Sequence, residues 1–425
     1  MKKLNLLIIS MIILVSFGCE DKYTKIYEAN SPVYMTYSQL RSSVKQSSAR
    51  VLENPGKMYF KDGYIFIIEE KKGIHIIDNR DSTAPVVRSF IEVPGAKDIA
   101  IKGNTLYADS YVDFVVIDIS DLESIDEIKR LKDVFPYTLP AISNELPIAR
   151  IDDTKGVVVG WEIKIVEEEL ETPIYYFEAW LSSSSFFDVS NTSSSMAGLS
   201  STGFGVGGSM ARFGLYDDYL YAIDDSRLHV FDVSNPKVPV ENNQFRVGWR
   251  VETMFIMDDK MFLGTQNGMQ IYDLVNPFAP TYISAFWHIT SCDPVVVQDT
   301  LAYVTLRGGN NCGSNVNELD VLSINDLYNP KLLKRYSMSG PYGLGIDGNI
   351  LFVCDGDAGL KIYNASDPLK ISQNMIANYD NIIAYDVIPM GNILLLIGDD
   401  GFYQYDYSDL NNIQLLSTIE VSTSN

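Results

Sequence analysis

A short phrase repeats along this chain and fixes what it can fold into. Val116-Ile117-Asp118-Ile119-Ser120-Asp121 returns as Phe187-Asp188-Val189-Ser190-Asn191 and as Phe231-Asp232-Val233-Ser234-Asn235-Pro236. It returns again as Tyr272-Asp273-Leu274-Val275-Asn276-Pro277 and Tyr363-Asn364-Ala365-Ser366-Asp367-Pro368, with weaker copies centred on Asp78, Ser323 and Asp406. The marker position recurs at intervals of 40, 70, 44, 41, 50, 41 and 42 residues. A β-type pattern with a period near 41 is the signature of a ring of four-stranded blades.

The second unit shows the internal layout. Segments 98–101, 105–109, 114–118 and 125–131 alternate or run apolar, and turn residues separate them. The first turn is built from Gly, Asn and Asp in most units, as in Asp62-Gly63, Gly103-Asn104 and Asp347-Gly348-Asn349, because tight hairpins demand positive φ. The marker Asp closes the third strand, where its carboxylate can accept the N–H groups of the following turn. Pro236, Pro277, Pro330 and Pro368 then stop further pairing. Near-identical turns repeated around a ring read as scaffold and not as active sites.

Two intervals are long. One holds the excursion 307–317, and the other an insertion at 136–207 that ends in a Ser- and Gly-rich stretch. Removing both leaves seven intervals near 41, so an all-β propeller of eight blades is expected. Seven is the alternative if the degenerate third unit, with its run Glu167-Glu168-Glu169-Leu170-Glu171, only decorates the ring. The propeller domain is expected over 46–425.

The N-terminus carries an address. Lys2 and Lys3 precede an apolar run, 4–17, too short to span a bilayer, and Gly18-Cys19 closes it. This order resembles the signal peptide and lipobox of bacterial lipoproteins. The resemblance implies a signal peptide at 1–18, acyl chains such as palmitate on Cys19, and a lipidated tether and N-terminal segment at 19–45. It places the protein in the outer membrane, on the periplasmic face or the cell surface, its membrane partner reached through the lipid. Glu20-Asp21 resembles the acidic signal that accompanies surface export in some Gram-negative groups.

The phrases Val115-Val116-Ile117-Asp118 and His229-Val230-Phe231-Asp232-Val233-Ser234-Asn235-Pro236 resemble the LVIVD repeat of bacterial and archaeal surface proteins. The resemblance spans most of 50–420. It implies a secreted β-propeller and transfers no catalytic residue.

Composition narrows the partners. A net charge of −22 leaves no phosphate-binding footprint, so nucleic acid is not expected as a partner. Cys292 and Cys312 flank one unit's first strands and are expected to form a disulfide in an exported chain; pairing of either with Cys354 is the alternative. Cys354 itself lies in a buried-strand pattern and reads as a core thiol. The three histidines, His75, His229 and His288, are too scattered for a metal site or a triad. Calcium is the one cofactor considered, through Asp355, Asp357, Asp399 and Asp400, whose Asp-Gly settings also suit plain turns.

Superposing the units isolates positions that diverge. The start of each inner strand lines the mouth of the central channel. There the chain places Lys57, Lys97, Asp98, Arg212, Glu252, Asp293, Tyr342, Tyr385 and Asp386. Scaffold positions converge on one residue type, whereas these mix both charges with tyrosines. Such a mouth suits a polar or charged ligand, or is a rim whose charges pair with one another. Three functions follow. The first is an anchored binding module for a glycan, a peptide or an envelope protein. The second is a hydrolase or lyase acting on a glycan through Asp98, Glu252, Asp293 or Asp386. The third is a structural subunit of an outer-membrane complex, docked by the insertion.

Overall fold

The computed structural model describes residues 23–170, 187–188, 194–195, 205–248, 250–288, 294–308 and 316–422. The chain divides into two compact units, one of residues 1–37 and 138–189, the other of 38–137 and 190–425.

The larger unit is a seven-bladed β-propeller. Its blades begin with the inner strands Pro55–Lys61, Ile99–Lys102, Phe213–Tyr216, Val251–Met257, Val295–Gln298, Leu344–Asp347 and Ala384–Met390, and each continues outward through three antiparallel strands, with Lys45–Ser48 added as a further outer strand on blade one. Both faces of a blade are covered by its neighbours, which is why the inner strands read as apolar runs. Blade two divides its side chains by the two-residue period. Ile99, Ile101, Leu106, Ala108, Val115 and Ile117 pack on blade one, whereas Ala100, Tyr107, Phe114 and Val116 pack on blade three. Fourth strands have one wet face, so Val240–Arg246 alternates exposed with half-buried residues.

The eight-bladed expectation is corrected to seven. Strand Val157–Leu170 of the degenerate unit does form, but it pairs along its length with Tyr23–Met35, a segment the sequence assigns to the tether. Among the described residues the marker Phe187–Asp188 makes a two-residue parallel pairing with Leu139–Pro140. A run of alternating β-formers reveals a strand but not its partner, and here the partner lies more than a hundred residues upstream. In this smaller unit Asn30 clips the ribbon to the intervening loop. Its side chain exchanges hydrogen bonds with that of Asn144, and its N–H donates to the Pro147 carbonyl at 2.8 Å.

The marker turns are built as the sequence implies. Asp118, Asp232, Asp273, Asn364 and Asp406 each accept the N–H two residues on, at 2.8–3.0 Å. Asp62 and Gly63 take φ of 49° and 79°, the left-handed geometry of a tight hairpin. A second repeated device is less visible in sequence. Tyr107, Tyr221 and Tyr336 donate their hydroxyls to the carbonyls of Pro236, Pro277 and Pro368 on the next blade, at 2.7–2.9 Å.

The ring closes between blades seven and one without sharing a strand. Asn79 and Gln404 form a reciprocal pair of amide hydrogen bonds, at 2.8 and 2.7 Å. Gln404 and Ser417 also donate to the Ser82 carbonyl, and the Ser422 N–H reaches the Leu52 carbonyl. No helix among the described residues is long and apolar enough to cross a membrane.

A third device pairs an acid at the end of the second strand with a base on the third. Glu69 faces His75, Asp224 faces His229 and Asp355 faces Lys361. His229 is held between Asp224 at 3.1 Å and Glu241 at 2.8 Å. Burial disfavours its charged form, but the two carboxylates outweigh burial and raise His229 above its ordinary 6.5. Asp224 is likewise buried, yet the His229 hydrogen bond holds it below 3.8. The pair's contribution is therefore complete below the imidazole's unfolded value and is lost as pH climbs through the raised one. On the acid side it is lost as pH falls through Asp224's depressed value. Replacing His229→Gln, the residue blade four carries as Gln270, should lower the melting temperature at about pH 5 and barely at about pH 9. An equal loss at both would show that His229 is neutral in the fold.

Candidate functional site: the plugged channel and its mouth

The central channel is filled by the chain's own residues 205–212. Val206 and Gly207 add to the inner edge of blade one, opposite Phe60 and Tyr59. The Gly205 N–H donates to the Ile101 carbonyl of blade two. Ser209 donates its N–H and hydroxyl to Asp386 of blade seven, at 3.0 and 3.1 Å, and its hydroxyl accepts the Leu344 N–H of blade six at 2.6 Å. The Ala211 carbonyl accepts the Met254 N–H of blade four at 2.7 Å. Ser194–Ser195 runs antiparallel to Ser209–Met210, so the Ser- and Gly-rich end of the insertion contributes a hairpin-like plug.

Close approach explains the glycines of this stretch. A Cβ on Gly208 would lie 1.9 Å from Asp386 Oδ2, and one on Gly205 would lie 2.2 Å from the Tyr59 ring. Blade six yields room in the same way, since a Cβ on Gly343 would lie 2.3 Å from Asp386 Oδ1 and 2.7 Å from Ser209 Oγ.

Two of the mouth carboxylates are engaged by this plug. Asp98 is buried, accepts Lys57 Nζ at 3.1 Å, and takes the N–H groups of Arg212 and Phe213. Burial lowers the Lys57 ammonium's pKa, and Asp98 opposes that shift. Asp386, also buried, holds Ser209. The Lys97 N–H is tied to Asp109 at 2.8 Å, together with that of Asp98. Thus Lys57, Asp98 and Asp386 secure the plug, which draws two of the hydrolase reading's four carboxylates, Asp98 and Asp386, into the scaffold.

The remaining mouth residues form a second group, on blades three to seven. Glu252 is raised to about 7 by burial, against the pull of Arg212, Arg307 and Arg250. The Arg307 guanidinium stacks on Tyr342, 3.8 Å from the ring centroid, and Tyr342 packs on Tyr385 with centroids 4.8 Å apart. Tyr385 is pushed up by burial and by the nearby charge of Asp399. The sequence named Arg212, Glu252, Tyr342 and Tyr385, and the structure brings them to one region. It missed Arg250 and Arg307, which lie just before blade four's inner strand and just after blade five's second strand.

The other sequence candidates have plain positions. Asp355 accepts the N–H groups of Ser339 and Gly340 at 2.9 and 2.8 Å and pairs with Lys361, which makes it a turn-holding acid. Asp400 lies near Tyr403, and Asp357 near Tyr385. Among the described residues no three His, Cys, Asp or Glu side chains gather into a set able to hold a metal ion. Cys354 is buried and free. Cys19, Cys292, Asp293 and Cys312 lie outside the described residues.

Comparison with known proteins finds one repeat and a set of distant solved structures. The LVIVD repeat matches residues 95–133 and 207–247, which cover blades two and three. Comparison with curated proteins finds no match. Three solved structures resemble the fold. A computationally designed protein, Ika8, is 9% identical, with 88% of this chain and 90% of that one covered at a TM-score of 0.49. BamB from Moraxella catarrhalis is 12% identical, with 84% of each chain covered and a TM-score of 0.47. Kluyveromyces lactis Hsv2 is 9% identical, with 85% of this chain and 96% of that one covered at a TM-score of 0.47. The chain is a β-propeller repeat protein carrying LVIVD repeats.

Proposed function

We propose that this protein is an envelope-anchored β-propeller that works as a binding module and engages its partner at the mouth of the plugged channel. One observation carries the reading. Arg307 sits over Tyr342, which packs on Tyr385, and Glu252 feels the charges of Arg212, Arg250 and Arg307, at a channel that residues 205–212 enter. A rigid ring with divergent residues at one opening is a common way to present a site. Anchoring rests on the lipobox resemblance at Gly18-Cys19. A second reading, docking into an envelope complex, draws on the smaller unit, whose ribbon exposes Ile26, Ile163 and Ile165.

The test places a photo-reactive side chain at Tyr342, at Ile163 or at the outer-strand residue Leu415 in cells making the full chain. A discrete mass adduct from Tyr342 alone is expected. Adducts from Ile163 alone would transfer the function to the ribbon. In the same cells Cys19→Ser is expected to move the protein from the membrane to the soluble envelope fraction. Unchanged retention would remove the lipid anchor.

A further inference from the structure

We infer that the plug, residues 205–212, is a strap that shuts the propeller ring from inside, in place of a strand shared between blades one and seven. Blade one takes its own four strands and its outer addition from residues 45–92, and blade seven takes its four from residues 384–420. The Asn79–Gln404 amides, the Ser82 carbonyl and one isolated bridge, Leu52 with Val421, join the two.

The strap crosses this joint within four residues. Val206 and Gly207 pair by backbone with blade one, and Ser209 then reaches blade seven. The Ser209 hydroxyl, fully buried, donates to Asp386 and accepts the Leu344 N–H, so a single group joins the strap to blades six and seven. Beside it the Gly343 N–H donates to the Tyr385 carbonyl at 2.8 Å, which ties those two blades to each other. A pull on Ser209 is therefore borne by both. The far end is fixed as well. The N–H groups of Arg212 and Phe213 lie on Asp98 of blade two, the Ala211 carbonyl takes the Met254 N–H of blade four, and Phe213 opens blade three's inner strand.

The chemistry argues for a fastening and against mere filling. A segment that only filled the channel would do so with apolar side chains, because a buried carboxylate or hydroxyl is costly unless it is bonded. Here Asp386 and Ser209 are both buried and spend their bonds on each other and on the backbone of blade six. The carboxylate is seated between Gly208 of the strap and Gly343 of blade six, neither of which has room for a Cβ. Strap and seam are shaped to each other.

The test is hydrogen exchange of the full chain with single-amide readout. Ser422 reports the seam, since its N–H crosses to the Leu52 carbonyl at 2.7 Å. Gly95 reports a junction that opening at the seam leaves intact, its N–H lying on the Lys71 carbonyl of blade one at 2.9 Å, where blade two begins. Ser209→Ala removes a hydrogen bond to a charged group and should speed Ser422 about tenfold while Gly95 stays unchanged. Gln404→Ala should speed Ser422 too, and in the double variant the two factors should multiply, because both hold the same opening shut. Asp386→Asn keeps an acceptor and loses the charge, so it should give a smaller change of the same pattern, and it carries the test if Ser209→Ala does not fold. Unchanged Ser422 exchange, or equal acceleration of Ser422 and Gly95, would show that the segment only fills the channel. A double variant no faster than Gln404→Ala alone would also overturn the strap.

Discussion

Asp98→Ala should cost about 3–5 kcal/mol of stability, the range for breaking a buried ion pair from one side. The residue stood among the ligand-binding candidates because it begins an inner strand. In the structure its carboxylate neutralises the buried Lys57 and accepts two N–H groups at the top of the plug. The alanine leaves an ammonium and two amides without their acceptor in a site closed to water. Asp98→Asn keeps an acceptor and removes the charge, so its loss should be smaller. Adding Lys57→Met to Asp98→Asn should recover part of the loss, because the stranded charge is gone. Denaturant titration of the three variants beside the unaltered protein checks this. A loss below about 1 kcal/mol in Asp98→Ala would mean that the pair contributes no more than an exposed one.

The second large effect is steric. Gly208→Val should expel the plug, because even the Cβ would sit 1.9 Å from an Asp386 oxygen on the wall of the channel. Overpacking commonly costs about 1–3 kcal/mol, and expulsion adds the loss of both Ser209 hydrogen bonds to Asp386. Protease sensitivity should appear near residues 205–212 while the blades stay folded. Gly160→Val is the control, since its Cβ meets nothing within 4 Å and it lies in a strand where a β-branched residue fits. Equal behaviour of the two variants would deny the plug a tight fit.

The contrast between these positions shows what can be read from a repeat. Marker residues such as Asp118 and Asp232 announce themselves because each blade solves the same local problem, a turn whose N–H groups need an acceptor. The inner strand starts were also legible as a set, and Tyr342 and Tyr385 do meet. What eluded the sequence is non-local. Val157–Leu170 has a strand's alternation, but nothing in it names Tyr23–Met35 as partner. Gly205 and Gly208 fall at the end of a Ser- and Gly-rich stretch, where a glycine kept for a close approach looks the same as one kept for freedom. Arg307 had a faint signal. Blades one, two, three and six end their second strands, within a residue, in Glu69, Asp109, Asp224 and Asp355, whereas blade five places a base there. A reversed sign at a repeated place marks a departure from scaffold duty.

The seam between blades seven and one has a consequence for how the ring comes to exist. Asn79 and Gln404 are 325 residues apart, and among the described residues no strand from one end of the chain completes the blade at the other. Each blade can assemble from neighbours in sequence, but the circle closes only when its far ends meet, at the highest loop entropy in the molecule. The seam is therefore the last contact to form and the first to part. Opening of the ring is expected to start there, and it must also part the plug, whose Val206–Gly207 pairs with blade one while its Ser209 holds Asp386 of blade seven.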